Sequence, residues 1–359
     1  MPNFELQLYN FTMKKFFLLL LSSLAVFSVR GQEMVVNAYF ETLFDNREYS
    51  TCDFGESTTI FGLQFIPEVG IQWAEKNRLM VGMDLTHDFG SEMSASAINL
   101  ILYYQFTHPN WSVNAGIFSR SKLIGKYSEA FFDENTLFYH DPLQGLSFNY
   151  HSTTSNSYAE FFIDWEGMRT ETQREKFRIA ADGRWDNGKF YAGGSAMMLH
   201  YAKTLLEESN EGVVDNILVN PYVGMRLNGS WAFDARLGYL QSLQRDRVTE
   251  QGWLTPKGGE LWLRLSRWNF SLDNKLYVGE DIIPLYDFYG YDVYESSSFY
   301  GTTEKIYNRT ALSYSRKFFK DTLSLYASFA VHYDGVGVGL QQLLRLEVNF
   351  EKLFFKSKK

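Results

Sequence analysis

The chain has 359 residues and a formal net charge of −8, with 45% hydrophobic and 17% aromatic residues. No basic patch interleaved with stacking aromatics offsets that acidic balance, so DNA and RNA are excluded as expected partners. The single cysteine, Cys52, cannot form an internal disulfide, and 31 Phe and 23 Tyr against 7 Pro favour strands.

The first recognisable element is an apolar run from Phe16 to Val29, following Lys14 and Lys15. It is too short and too early to span a membrane as a helix, and Val29-Arg30-Gly31 places small residues at −3 and −1 of a cleavage site. Residues 1–31 therefore read as a signal peptide behind an over-annotated start, with Met13 as the true initiator and 32–359 as one mature domain. No Cys follows the leader directly, which argues against a lipoprotein anchor. Cleavage removes three basic residues, Lys14, Lys15 and Arg30, and one acidic residue, Glu5, taking the net charge to −10.

Alternation of apolar and polar residues then predicts sixteen strands, at 34–43, 58–74, 78–88, 97–107, 111–120, 144–152, 157–166, 176–186, 189–201, 216–227, 231–241, 259–266, 269–279, 304–316, 321–333 and 339–355. The clearest pair is the tenth and eleventh. Ile217, Val219, Val223, Met225 and Leu227 share one face opposite Asn220, Gly224 and Arg226; beyond Asn228-Gly229-Ser230, Trp231, Phe233, Ala235, Leu237 and Tyr239 face away from Asp234, Arg236 and Gly238. Asn228-Gly229-Ser230 is expected to supply a positive-φ hairpin turn, and Pro221 a bulge or local break. Charges on one face and aliphatics with aromatics on the other describe a strand with lipid outside and a wet lumen inside.

Connectors alternate between short turns and long loops, the long ones at 44–57, 89–96, 121–143, 167–175, 202–215, 242–258 and 280–303, with a short last one at 334–338. Short periplasmic turns, long extracellular loops and an even strand count are the marks of an outer-membrane barrel. Trp73, Trp111, Trp185, Trp231 and Trp268, five of the eight tryptophans, stand beside short turns and predict an interfacial girdle on that rim. In the last strand Leu340, Gln342, Leu344, Leu346, Val348 and Phe350 face out while Arg345, Glu347, Asn349 and Glu351 face in. That strand must pair with the first, since an open edge in lipid leaves amides unsatisfied. The fold class expected is an all-β, transmembrane, antiparallel up-and-down β-barrel of sixteen strands in the outer membrane of a Gram-negative envelope.

On these residues the chain resembles porin-type outer-membrane β-barrels. It looks like the porin-like barrels of Bacteroidetes in particular, in which a segment such as Phe44-Asp45-Asn46-Arg47-Glu48-Tyr49 follows the first strand. The Phe354-Phe355 ending before Lys356 to Lys359 resembles the C-terminal aromatic signature read by barrel assembly machinery, which is the expected partner along with outer-membrane lipid. The Pro-Glu-Phe-Gly-Gly signature of general porins is absent, and neither the hexapeptide nor the ending carries a function over.

Parity places Arg120, Arg178, Arg184, Arg226, Arg236, Arg264, Arg309 and Arg345 in the lumen with Asp84, Asp88, Glu160, Asp164, Asp182, Asp234, Asp273 and Glu347. Such a lining predicts passive diffusion of small polar solutes, and paired charges in a plugged barrel are the alternative. The loop at 121–143 is the candidate constriction, with Asp133, Glu134 and Asp141 expected to face Arg236, Arg264 and Arg345. Tyr286, Phe288, Tyr289 and Tyr291 in the loop at 280–303 suit glycan capture at the mouth. Catalysis is not expected, an outer-membrane hydrolase being the less favoured alternative. The faint likeness of Asn149-Tyr150-His151-Ser152 to outer-membrane phospholipase fails because His151 and Ser152 point to opposite faces, and His140-Asp141 and Asp164-Trp165 are unsupported pairs. The six histidines show no metal-ligand spacing, so no metal and no cofactor is expected.

Overall fold

The computed structural model of the chain describes residues 32–92, 97–133, 136–140, 142–206, 211–248 and 252–354. The leader at 1–31, Glu134, Asp141 and the tail from Phe355 lie outside the described residues.

Sixteen strands form one closed antiparallel barrel: β1 (Gln32–Glu48), β2 (Thr58–Trp73), β3 (Asn77–Asp88), β4 (Ile98–His108), β5 (Trp111–Phe118), β6 (Leu143–His151), β7 (Tyr158–Gly167), β8 (Lys176–Asp186), β9 (Phe190–Tyr201), β10 (Val214–Leu227), β11 (Ala232–Asp246), β12 (Lys257–Arg267), β13 (Phe270–Gly279), β14 (Ile306–Phe318), β15 (Leu323–Tyr333) and β16 (Val338–Phe354). Each strand pairs with its sequence neighbours, and β1 closes the wall against β16 with Ala38 opposite Phe350. Closure satisfies every strand edge, which a hydrocarbon environment demands.

The two faces of the wall differ as the alternation requires. Leu100, Val223, Leu237 and Leu312 are more than half exposed on the outside, whereas Asp84, Asp164, Arg178 and Asp182 on the inside are buried. One outward patch breaks the rule. Asn274 stands opposite Thr310, donating to Thr310 Oγ1 at 2.8 Å and to Asn308 Oδ1 at 3.2 Å, so these amides satisfy each other on a lipid-facing wall. Trp185, Trp231 and Trp268 are exposed at the short-turn rim, Trp268 by 83%.

Several local expectations change. No residue between Leu227 and Ala232 has positive φ; the connector is long enough to reverse the chain without a left-handed residue, and such residues occur instead at Ala74, Glu75, Trp268 and Phe319 to Asp321. Of the bulge or local break expected at Pro221, the local break is what forms. The β10–β11 ladder skips Asn220 and Pro221 and resumes in the same register, Val219 opposite Gln241 and Tyr222 opposite Gly238, because a missing N–H costs a rung without adding a residue. The register shift lies on β7, between Trp165 and Gly167. The hexapeptide at Phe44 does not follow the first strand; all but Tyr49 belongs to it. Asp45 accepts from Arg47 Nε at 2.9 Å and Gln341 Nε2 at 2.9 Å, so polar inward side chains carry β1 past the point where the apolar pattern ends.

Candidate functional site

Two loops fold into the lumen and meet there. The first leaves β5 through a 3-10 turn at Arg120–Lys122 and crosses from the β7–β8 wall to β12. The Gly125 amide donates to Glu160 at 3.0 Å, the Lys126 amide to Asp182 at 3.0 Å, the Tyr127 hydroxyl to Glu160 at 3.0 Å and the Ser128 hydroxyl to Glu260 at 2.6 Å. The second, between β13 and β14, sends the Tyr300 hydroxyl to Glu260 at 2.5 Å and stacks Phe299 on Tyr307 and His332. Main-chain hydrogen bonds join the loops: Asp133 N–H to Glu295 O at 2.8 Å and Ser297 N–H to Glu129 O at 2.9 Å. Together they form a plug across the barrel.

Buried ions pin that plug. Glu129 is held by Lys275 and by Arg309 at 3.7 Å; burial alone would raise its carboxyl, but the two cations outweigh burial and bring it to about 2. On the opposite wall Arg178 sits fully buried, with both terminal nitrogens on Glu295 and its Nε 3.0 Å from Glu166, which Lys176 reaches at 2.8 Å. Glu295 also receives His140 Nε2. Burial would raise the Glu295 carboxyl too, yet Arg178, His140 and Arg120 hold it well below the usual carboxylate range.

His140 is where this arrangement acquires chemistry. One ring nitrogen is fixed by an ionised carboxylate, and the other, Nδ1, is buried without a partner. The ring borders a cavity of about 270 Å³ under the outer mouth, lined also by Asp84, Asp88, Ser91, Asn99 and Tyr139. A carboxylate-oriented imidazole with its second nitrogen uncommitted is the pattern of a general base. His140, Glu166 and Glu295 also bring ligand atoms within 4.8 Å of one another. The Arg178 guanidinium already supplies the positive charge between those two carboxylates, so the donor set does not fit a divalent cation.

The other charges read from parity are placed as follows. Arg120 pairs with Asp164, Arg226 with Asp234 at 3.1 Å, Arg264 with Asp273 at 3.4 Å, and Arg345 with Glu41 at 2.8 Å and Glu347 at 4.0 Å. Arg184 lies 3.4 Å from Asp186, Asp84 accepts from Gln64 at 3.1 Å, and Asp88 accepts from the Tyr139 hydroxyl at 2.5 Å. Asp133 does not face Arg236, Arg264 or Arg345; it is drawn to the opposite loop and borders a small space with Arg47 and Arg309. In the second loop Phe288 and Tyr291 are exposed, while Tyr289 donates to Asp246 at 2.5 Å and Tyr286 packs on Tyr294. The pair His140 and Glu295 escaped sequence reasoning because 155 residues separate them on two irregular loops, where no periodicity fixes facing.

Closed sixteen-strand topology, outward aliphatics and the tryptophan rim define an outer-membrane β-barrel of the porin architecture. The fold is similar to the outer membrane protein OpdK from Pseudomonas aeruginosa, with TM-score 0.50 and 9% identity over 89% of this chain and 99% of that one. It is likewise similar to OprB from Pseudomonas putida, at TM-score 0.50 and 8% identity over 89% and 94%. An anion-selective porin from Comamonas acidovorans aligns at TM-score 0.49 and 12% identity over 89% and 99%. No curated protein sequence matches the chain at a significant level. The family model for lipid A 3'-O-deacylase-type proteins matches residues 28–359, so the chain belongs to that family. This overturns the expectation that the chain is not an enzyme, because the family is named for an ester-cleaving activity.

Proposed function

We propose that this barrel is an outer-membrane acyl-ester hydrolase working at the cavity beside His140. The observation that carries the reading is the His140–Glu295 pair, part-buried next to a polar cavity in a chain of an ester-cleaving family. In the proposed step the His140 ring tips about its Nε2–Glu295 contact to bring the buried Nδ1 to the cavity, where Nδ1 takes a proton from water as the water oxygen attacks the ester carbonyl. The tetrahedral intermediate collapses by breaking the acyl C–O bond, and the imidazolium returns its proton to the departing alkoxide, leaving an alcohol and a fatty acid. Glu295 accepts from the Nε2–H, fixes the tautomer and stabilises the imidazolium; Arg178 keeps Glu295 ionised for that role. Asp84, Asp88 and Ser91 suit hydroxyls on the alcohol side of the substrate, since carboxylates accept from them.

Purified protein in detergent micelles, given a medium-chain p-nitrophenyl ester, tests this. His140→Asn is expected to lower turnover by roughly 10²–10⁴-fold, the range of a lost general base. Equal rates in both proteins would contradict it.

The second reading is a channel for small polar solutes. It is favoured by the charged lumen and by a further space of about 260 Å³ toward the short-turn rim, lined by Lys317, Tyr326, Arg345 and Glu347. Stepwise conductance in planar bilayers from a preparation without esterase activity would select it.

A further inference from the structure

Arg236 differs from the other lumenal arginines in what meets it. Arg226 is engaged by Asp186 at 3.3 Å and Asp234 at 3.1 Å, and Arg264 by Asp273 at 3.4 Å. Asp234, the nearest inward carboxylate on the same strand, is further occupied by the Tyr191 hydroxyl at 2.5 Å. Among the described residues no carboxylate stands within ion-pair distance of Arg236. Its guanidinium lies over aromatic rings instead, 4.9 Å from the centre of Tyr222 and 5.8 Å from that of Trp262.

A guanidinium resting on ring faces keeps its N–H edges for other acceptors, and the rings hold it in one orientation. The wall is shaped for this. Tyr222 is buried, and it lies over Gly193, where a Cβ would come within 2.8 Å of its hydroxyl. Arg236 stands opposite Trp262, one inward position nearer the short-turn rim than the Gly238–Glu260 pair, and Glu260 anchors the plug. The guanidinium therefore borders the half of the lumen that opens toward the periplasm.

We propose that Arg236, shelved on Tyr222 and Trp262, is an oxyanion-binding site beneath the plug that takes the carboxylate or phosphate of a small solute. Two parallel N–H donors on one guanidinium edge match either group, and the aromatic flank suits a planar carboxylate. This site is separate from the His140 cavity on the outer side, so the two readings stand or fall independently.

The full chain in detergent is titrated by calorimetry with benzoate and, separately, with inorganic phosphate. Saturable binding of at least one is expected, the tighter of the two identifying the class. Arg236→Gln should weaken it at least about tenfold, the loss typical of a charge-assisted bidentate contact. Arg236→Lys should also weaken it, because the charge stays while the fork is lost, and Trp262→Leu should weaken it about threefold by removing one face of the shelf. Arg264→Gln, whose arginine is already paired, should leave affinity within about twofold. These companions keep the test decisive if Arg236→Gln fails to fold. Absence of saturable binding, unchanged affinity in Arg236→Gln or Arg236→Lys, or an equal loss in Arg264→Gln would each overturn the proposal, the last by showing a diffuse field.

Discussion

Arg178 shows what a single buried side chain does here. Its position on the inward face of β8 can be read from parity, since a charge there would be costly against lipid. Its partners cannot, because Glu295 comes from a loop more than a hundred residues away and Glu166 from the neighbouring strand. Arg178→Met removes the guanidinium that lies between the two carboxylates, leaving Glu166 with Lys176 alone and Glu295 with His140. We expect a loss of roughly 3–5 kcal/mol, the usual cost of breaking a buried pair from one side, seen as a lower temperature for loss of the compact form on unboiled gels. Glu129 gives a pH signature. Its carboxyl is held at about 2 in the folded chain, against about 4.3 when unfolded, so its contribution is full above about 5 and is lost as pH falls toward 2. Hydrogen exchange in the plug should therefore differ between the native chain and Glu129→Gln at pH 5–7, and the difference should vanish near pH 2.

At the scale of elements, the strands were visible because lipid outside and charge inside force a period of two over their length. That β16 pairs with β1 follows from closure. What alternation missed are the outer ends of β1 and β11, where Asp45, Arg47, Gln244 and Asp246 continue the ladder with polar residues above the lipid and no apolar contrast marks them. The Asn274–Asn308–Thr310 cluster was hidden for the opposite reason, since polar residues on an outward face look like an error until their mutual hydrogen bonds are seen. The plug was only partly foreseeable: its first loop was long and in the porin position, but its crossing depends on wall carboxylates Glu160, Asp182 and Glu260 that look identical to pore-lining charges in sequence. Close backbone approach sets further limits. A Cβ at Gly145 would sit 2.1 Å from the Ile163 carbonyl oxygen, so Gly145→Val should impair assembly, with less compact barrel recovered in outer-membrane fractions, whereas Gly252→Ala, with nothing within 4 Å, should not.

Taken whole, the molecule is a wide barrel whose bore is crossed by two interlocked loops, with a polar cavity and an oriented histidine above them and an aromatic-shelved arginine below. A barrel of sixteen strands is wider than side chains alone can fill, which is why loops rather than the wall build the interior. Placing His140 on a loop pinned by Glu295 and Arg178 gives that ring the rigidity a catalytic group requires while leaving the wall free to face lipid. The account stands most directly on whether that histidine cleaves an ester in the membrane where the barrel sits. Mass spectrometry of lipid A extracted from cells producing the native chain, its His140→Asn variant, or neither is the decisive measurement. Loss of one acyl chain with the native protein only is the predicted result; identical lipid A in all three, with both proteins present as compact barrels, would contradict it.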